Sequence, residues 1–158
     1  GRKNSGKTHL VTRLVQLASA RGLRVSTVKH AHHSFDVDRP GKDSYLHRAA
    51  GAHEVLVASA ERWALLHEHR GAPEPQLGEL LARLQPCDLV LVEGFKREVE
   101  RRLEVYRASC GQTPLALEDA GILAVATDDA GTFTGRSGLC CLPLDDEAAV
   151  LDYVLERA

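Results

Sequence analysis

Gly1-Arg2-Lys3-Asn4-Ser5-Gly6-Lys7-Thr8 opens the chain, and its reading decides the fold. The spacing is G-x-x-x-x-G-K-[ST], that of a phosphate-binding loop. Gly1 and Gly6 permit a backbone path whose N–H groups turn inward as an anion nest. A helix beginning directly behind such a loop aims its positive end at the same place. Lys7 is the residue that reaches the outer phosphates of a bound nucleotide, and the Thr8 hydroxyl is a ligand for Mg²⁺. The helix is expected: Leu10, Leu14, Leu17 and Ala18 recur at helical spacing, while Arg13, Gln16 and Arg21 fall off that stripe. Gly22 is placed to end it as the first residue past the C-cap. A phosphate loop hangs from the end of a buried parallel strand, whereas this sequence starts at the loop and holds no Met. The expectation is an upstream strand that belongs to the fold but not to this sequence.

The 158 residues are 44% hydrophobic and 27% charged, which suits one ordinary domain over 1–158 with a sizeable core. A net charge of −2 gives no support for nucleic-acid or membrane-surface binding. No apolar run approaches a membrane span. Cys87, Cys110, Cys140 and Cys141 form no C-x-x-C pair. They read as reduced thiols of a cytoplasmic protein, and a zinc site is not expected of them.

Along the chain, Leu23 to His30 reads as a strand, Asp43 to Ala50 as a short helix, and Glu54 to Ala58 and Arg62 to Leu66 as two strands. Leu77, Leu80, Leu81 and Leu84 mark a helix that ends before Pro86. Leu89-Val90-Leu91-Val92 is a continuous apolar run, as in a strand buried on both faces. Leu103 to Tyr106 and Ile122 to Thr127 are further strands, and Ala148, Leu151, Val154 and Leu155 a final helix with Asp145 as its N-cap. Strands alternating with helices give a layered α/β domain with a mostly parallel sheet.

Two acids flank the apolar run, Asp88 and Glu93. At about 3.3 Å per residue they stand about 16 Å apart, so one metal cannot take both. Ligands of parallel sheets sit at the carboxyl ends of the strands. Glu93 lies at that end, which assigns it to Mg²⁺ or to orienting an attacking water. Asp88 is then a polar strand boundary, and Gly94 lets backbone or phosphate come close.

His30-Ala31-His32-His33-Ser34-Phe35-Asp36-Val37-Asp38-Arg39-Pro40-Gly41-Lys42-Asp43-Ser44-Tyr45 emerges on the same edge as the loop. Three readings stay open. Asp36 or Asp38 meets the Mg²⁺–nucleotide as a switch segment does; the histidines bind a transition metal; or the stretch is a solvated loop. Arg39, Lys42 and Arg48 are candidate anion ligands, and Arg39 or Arg48 a candidate arginine finger supplied by a second subunit. For the base, Thr127-Asp128-Asp129 follows a strand on the nucleotide side. A carboxylate accepts two hydrogen bonds from the guanine edge, where adenine offers no such donor pair. Asp128 is thus a candidate guanine reader, with an acidic turn as the alternative.

Taken in order, GRKNSGKT, VKHAHHSFDVDRPGKDSYLHRAAGA, VASAERWALL and DLVLVEGFK resemble the molybdopterin-guanine dinucleotide biosynthesis adaptor protein B family. The HHSFDVDRPGKDSY block and VEGFK together are specific; the tail after about Gly111 is less so. The resemblance implies a three-layer P-loop NTPase-like fold and a GTP-binding homodimer with slow Mg²⁺-dependent hydrolysis. It implies further that the protein assists the guanylyltransferase that joins molybdopterin to GMP, with molybdopterin itself a second partner. Carried over, the nucleotide loop is Gly1 to Thr8, with Lys3, Asn4 and Ser5 inside it, and the acidic strand end is Glu93-Gly94-Phe95-Lys96. One departure is visible: Arg101-Arg102 stand where the family often has Pro-Lys before the next strand. Two other functions fit the phosphate loop: a metal-delivery GTPase using the His-rich segment, and a small-molecule kinase.

Overall fold

The computed structural model describes residues 1–31, 35–95 and 98–158. In chain order the elements are α1 (Lys7–Ala20), β1 (Val25–Lys29), α2 (Asp43–Ala49), β2 (Glu54–Ala58), β3 (Trp63–His67), α3 (Leu77–Leu81), β4 (Leu89–Glu93), β5 (Arg102–Tyr106), β6 (Ile122–Thr127), β7 (Cys140–Pro143) and α4 (Glu147–Leu155). Short 3-10 helices cover Ala108–Cys110, Leu115–Leu117 and Ala130–Phe133. The contacts divide the chain into two compact units, Gly1–His30 with Leu81–Ala158, and Ala31–Leu80. No break in composition marks that division in the sequence.

In the first unit α1 closes as its sequence requires. Gly22 takes φ +81°, its N–H donates to Ser19 O at 2.9 Å, and Leu23 N–H reaches back to Ala18 O at 3.1 Å. This pair of bonds satisfies two of the helix's last carbonyls. Leu10, Leu14 and Ala18 are buried, in one cluster with Leu89 of β4, Val105 of β5, Ala126 of β6, and Val150 and Leu151 of α4. A second cluster joins Ile122 and Val125 of β6 to Ala116 and Phe133 of the 3-10 segments. β6 is therefore covered on both faces, which explains why Ala124, Val125 and Ala126 are all fully buried. The N-cap of α4 is Asp146, whose carboxylate accepts from Ala149 N–H at 3.0 Å. Asp145, expected in that role, lies one residue outside the helix end.

All strand pairs of this unit are parallel. β1 pairs β4 from Val25↔Leu89 to Lys29↔Glu93, and β5, β6 and β7 form a sheet in that order. The expected mostly parallel sheet is thus found as two hydrogen-bonded sets. β7 was not legible as a strand: it has four residues, stands at an edge and ends in Pro143, where no ladder donor is needed. Glu104 on β5 is 1% exposed. Its two carboxylate oxygens accept from Leu115 N–H (3.0 Å) and Ala116 N–H (2.7 Å), pinning the 3-10 turn to the strand. Arg102, which keeps the charge where the family often has Pro-Lys, binds Asp119 through both terminal nitrogens (2.5 and 2.9 Å). That guanidinium holds the Asp119 carboxyl below the usual carboxylate range.

The second unit is an antiparallel hairpin, β2 and β3 in register from Glu54↔His67 to Ala58↔Trp63, with α2 packed on β2. Ser59 Oγ closes its loop, accepting from Glu61 and Arg62 N–H at 3.2 Å each. Pairs two apart share a face of the hairpin, so Leu56 and Leu65 stand beside Trp63; all three are exposed. Among the described residues no helix is long and apolar enough to cross a membrane.

Candidate nucleotide-binding site

The phosphate loop alternates handedness: Asn4 has φ +65° and Gly6 φ +95°. Gly6 is the N-cap of α1, makes no side-chain cap, and no acidic residue follows in the first turn. No carboxylate of the helix therefore competes for its positive end. Gly1 lies so close to β5 that a Cβ would stand 2.1 Å from Val105 O. Ser5 is buried, and its Oγ has no hydrogen-bond partner among the described residues. Lys7 Nζ donates to Arg2 O at 2.5 Å, so the ammonium sits in the mouth of the loop it serves. Arg2 itself is turned aside, to Thr113 O (3.2 Å) and Glu118 (3.3 Å). Lys3 and Thr8 are exposed. This arrangement fits a phosphate group.

Glu93 ends β4 beside its register partner Lys29, with Oε2 3.7 Å from Nζ. Gly94 takes φ +103°, and a Cβ there would stand 2.5 Å from His30 Cβ. The freedom of Gly94 thus admits the side chain of His30, on which the Phe95 ring packs at 4.9 Å. Asp88 sits at the opposite end of β4, accepting from Arg24 N–H at 2.7 Å, as a strand boundary does.

Asp128 follows β6. Its Oδ1 accepts from Ala108 N–H at 2.9 Å, and Oδ2 lies 4.0 Å from Arg107 Nη1. Asp128 and Arg107 line a cavity of about 440 Å³, together with Thr127, Cys141, Pro143 and Asp145. Burial, and secondarily Cys140, raises the Cys141 thiol above its ordinary value. Arg107 also overlies the loop: a Cβ on Gly6 would stand 3.2 Å from its Nε. The structure therefore brings Gly6, Arg107 and Asp128 together. Sequence reasoning missed Arg107, because a single arginine after a strand belongs to no motif.

Asp36 lies in the second unit. Arg48 Nη2 donates to its two oxygens at 2.9 and 2.8 Å, Nη1 to Glu68 at 2.8 Å, and Nε to Asp38 at 3.4 Å. Asp38 also accepts from Ser44 Oγ at 2.9 Å. Arg48 is raised well above its ordinary value by these bonds, Asp36 first; Asp36 is lowered, chiefly by Arg48. Read as an anion ligand or a finger, Arg48 instead has all three donor nitrogens on carboxylates. Among the described residues no three His, Cys, Asp or Glu side chains are placed to hold a metal together. His32, His33 and Lys96 lie outside the described residues.

A family model described as Molybdopterin guanine dinucleotide synthesis protein B matches residues 1–128. The chain belongs to the molybdopterin guanine dinucleotide synthesis protein B family. It is 39% identical over 155 residues to the molybdopterin-guanine dinucleotide biosynthesis adapter protein of Escherichia coli K12, covering 96% of this chain and 86% of that one. To the Haemophilus influenzae protein of the same name it is 41% identical over 131 residues, 81% and 71% of the two chains. The crystal structure of Bacillus subtilis MobB superposes with a TM-score of 0.74 at 29% identity, covering 99% of this chain and 93% of that one. A Bacillus stearothermophilus homologue gives a TM-score of 0.63 at 25% identity, with 99% and 92% covered. The fold is thus the three-layer, P-loop NTPase-like α/β fold of this family. The family match takes in the loop, Glu93 and Arg107 and ends at Asp128.

Proposed function

We propose that this chain is a GTP-binding adapter in the assembly of the guanine dinucleotide form of the molybdenum cofactor. Family membership supports the adapter role. The observation that supports guanine nucleotide is the cavity that carries Asp128 beside a guanidinium lying over Gly6. A base-reading acid and a phosphate cradle then share one edge of the parallel strands.

The loop N–H groups and the start of α1 bind the phosphates, and Lys7 neutralises their outer charge. Asp128 accepts from the N1–H and N2–H₂ edge of guanine. Thr8 and Glu93 would hold Mg²⁺, which when bound supplies Lewis-acid stabilisation of the phosphates. Glu93, 23% exposed at its side chain, is the group that orients an attacking water. As the family resemblance implies, hydrolysis is slow and the protein acts as a partner of the cytoplasmic guanylyltransferase rather than as an efficient enzyme. Molybdopterin is the further ligand of that complex.

A homodimer completes the reading. The hairpin is a two-stranded sheet whose exposed face carries Leu56, Leu65 and Trp63, and two strands alone are marginally stable in water. A second copy presents the matching apolar face.

The test is calorimetric titration with a nonhydrolysable GTP analogue and then the ATP analogue, both with Mg²⁺. Preference for GTP is expected. Preference for ATP would support a kinase instead, and binding of neither would defeat the nucleotide assignment.

A further inference from the structure

Arg107 stands directly after β5, and its guanidinium spans two parts of the site. Nε is 3.2 Å and Nη2 3.8 Å from where a Gly6 Cβ would stand. Nη1 is 4.0 Å from Asp128 Oδ2, and both side chains are about 40% exposed, at 41% and 40%. One cation thus reaches from the phosphate loop to the acid assigned to the base. In a nucleotide, the atoms between those two ends are the sugar and the phosphate attached to it. A half-exposed ion pair at this distance holds weakly. A phosphate offers the same guanidinium shorter, charge-assisted and two-pronged hydrogen bonds.

We propose that Arg107 is a nucleotide-contacting residue that exchanges Asp128 for the phosphate nearest the nucleoside. The exchange frees Asp128 Oδ2 for the base as the phosphate arrives, while Oδ1 keeps its bond from Ala108 N–H, so phosphate and base are read together. This rests on the guanine-nucleotide reading of the site and adds to it a residue and a coupling.

The experiment is titration of wild type, Arg107→Ala and Arg107→Lys with GDP and with the nonhydrolysable GTP analogue, in Mg²⁺. The sugar-proximal phosphate is common to both ligands. Arg107→Ala is therefore expected to weaken both by the same factor, about tenfold or more. Arg107→Lys keeps the charge without the fork and recovers part of the loss for both; it carries the comparison if the alanine variant does not fold. Unchanged affinity in the variants overturns the proposal while leaving the site reading intact. A loss confined to the GTP analogue also overturns it, because it puts Arg107 on the outer phosphate. Wild type that binds neither ligand overturns the site reading itself, and the proposal with it.

Discussion

Arg48 and Arg107 are both arginines set beside aspartates, and they differ in how completely the protein occupies them. The Arg48 side chain is 14% exposed and meets Asp36, Asp38 and Glu68 within 3.4 Å. Tyr45 lies beneath its guanidinium at 5.6 Å, and Arg70 donates to its backbone carbonyl at 2.7 Å. Arg107 is 41% exposed, has its carboxylate contact at 4.0 Å, and borders a cavity. A cation whose three nitrogens all rest on carboxylates holds a fold together. A cation with donors to spare beside an open space is available to a ligand. Charge density in the sequence does not separate the two cases; the census of partners does.

The comparison breaks first at Lys7. Its ammonium is the group assigned to the outer phosphates, so Lys7→Ala should weaken the GTP analogue by about a hundredfold or more, with the melting temperature little changed. A folded variant that still binds tightly would defeat the phosphate-loop assignment. Arg48→Ala tests the opposite side. It removes the cation shared by three carboxylates, so thermal unfolding should begin several degrees lower, with Arg48→Lys restoring part of the loss. Circular dichroism melts decide it, and an unchanged midpoint would mean that the network is ornamental.

Asp128→Asn is the intermediate case. The amide keeps the shape but replaces one acceptor with a donor, so preference for GTP over ATP analogues should fall about tenfold. A preference that survives the change would assign Asp128 to its bond with Ala108 N–H alone. The smallest effect is an acid one. Asp36 has its pKa lowered in the fold, so its stabilisation is complete above the unfolded value, about 3.9, and is lost as pH falls through the lower folded value. The stability gap between wild type and Asp36→Asn should stay flat from about pH 7 to pH 5 and close below about pH 4. A gap that already narrows near neutrality would show that Asp36 has another titrating partner. Loss of Mg²⁺-dependent nucleotide binding in Asp36→Asn would support its reading as a metal ligand.

Much of the fold was legible because local and tertiary signals agree. The stripe Leu10–Leu14–Ala18 and the stop at Gly22 describe one helix twice over, by burial and by backbone geometry. The apolar run after Asp88 is the strand β4, with Leu89 buried and Val90, Leu91 and Val92 half-buried. What stayed hidden depends on pairing rather than on pattern. β7 acquires its conformation from β6, since Cys140-Cys141-Leu142-Pro143 is too short to alternate. Asp145 and Asp146 are equally good caps by type, and only the starting turn of α4 chooses between them. Glu104 reads as a surface acid until the N–H groups of Leu115 and Ala116 are found around it. The DVDRPGKDSY block shows the converse: its acids stand out in sequence because Arg48 needs them. Arg107 acquires meaning only from being near Gly6 and Asp128, which are 101 and 21 positions away in the chain.

Trp63 is the chain's only tryptophan, and its side face on the hairpin leaves it 62% exposed. The protein therefore carries a built-in optical probe at the surface proposed for self-association. Emission from a solvated indole lies to the red, and covering that face would move it to the blue without a label. Because no second indole contributes, any spectral change on dilution, or on adding a partner protein, refers to this one hairpin.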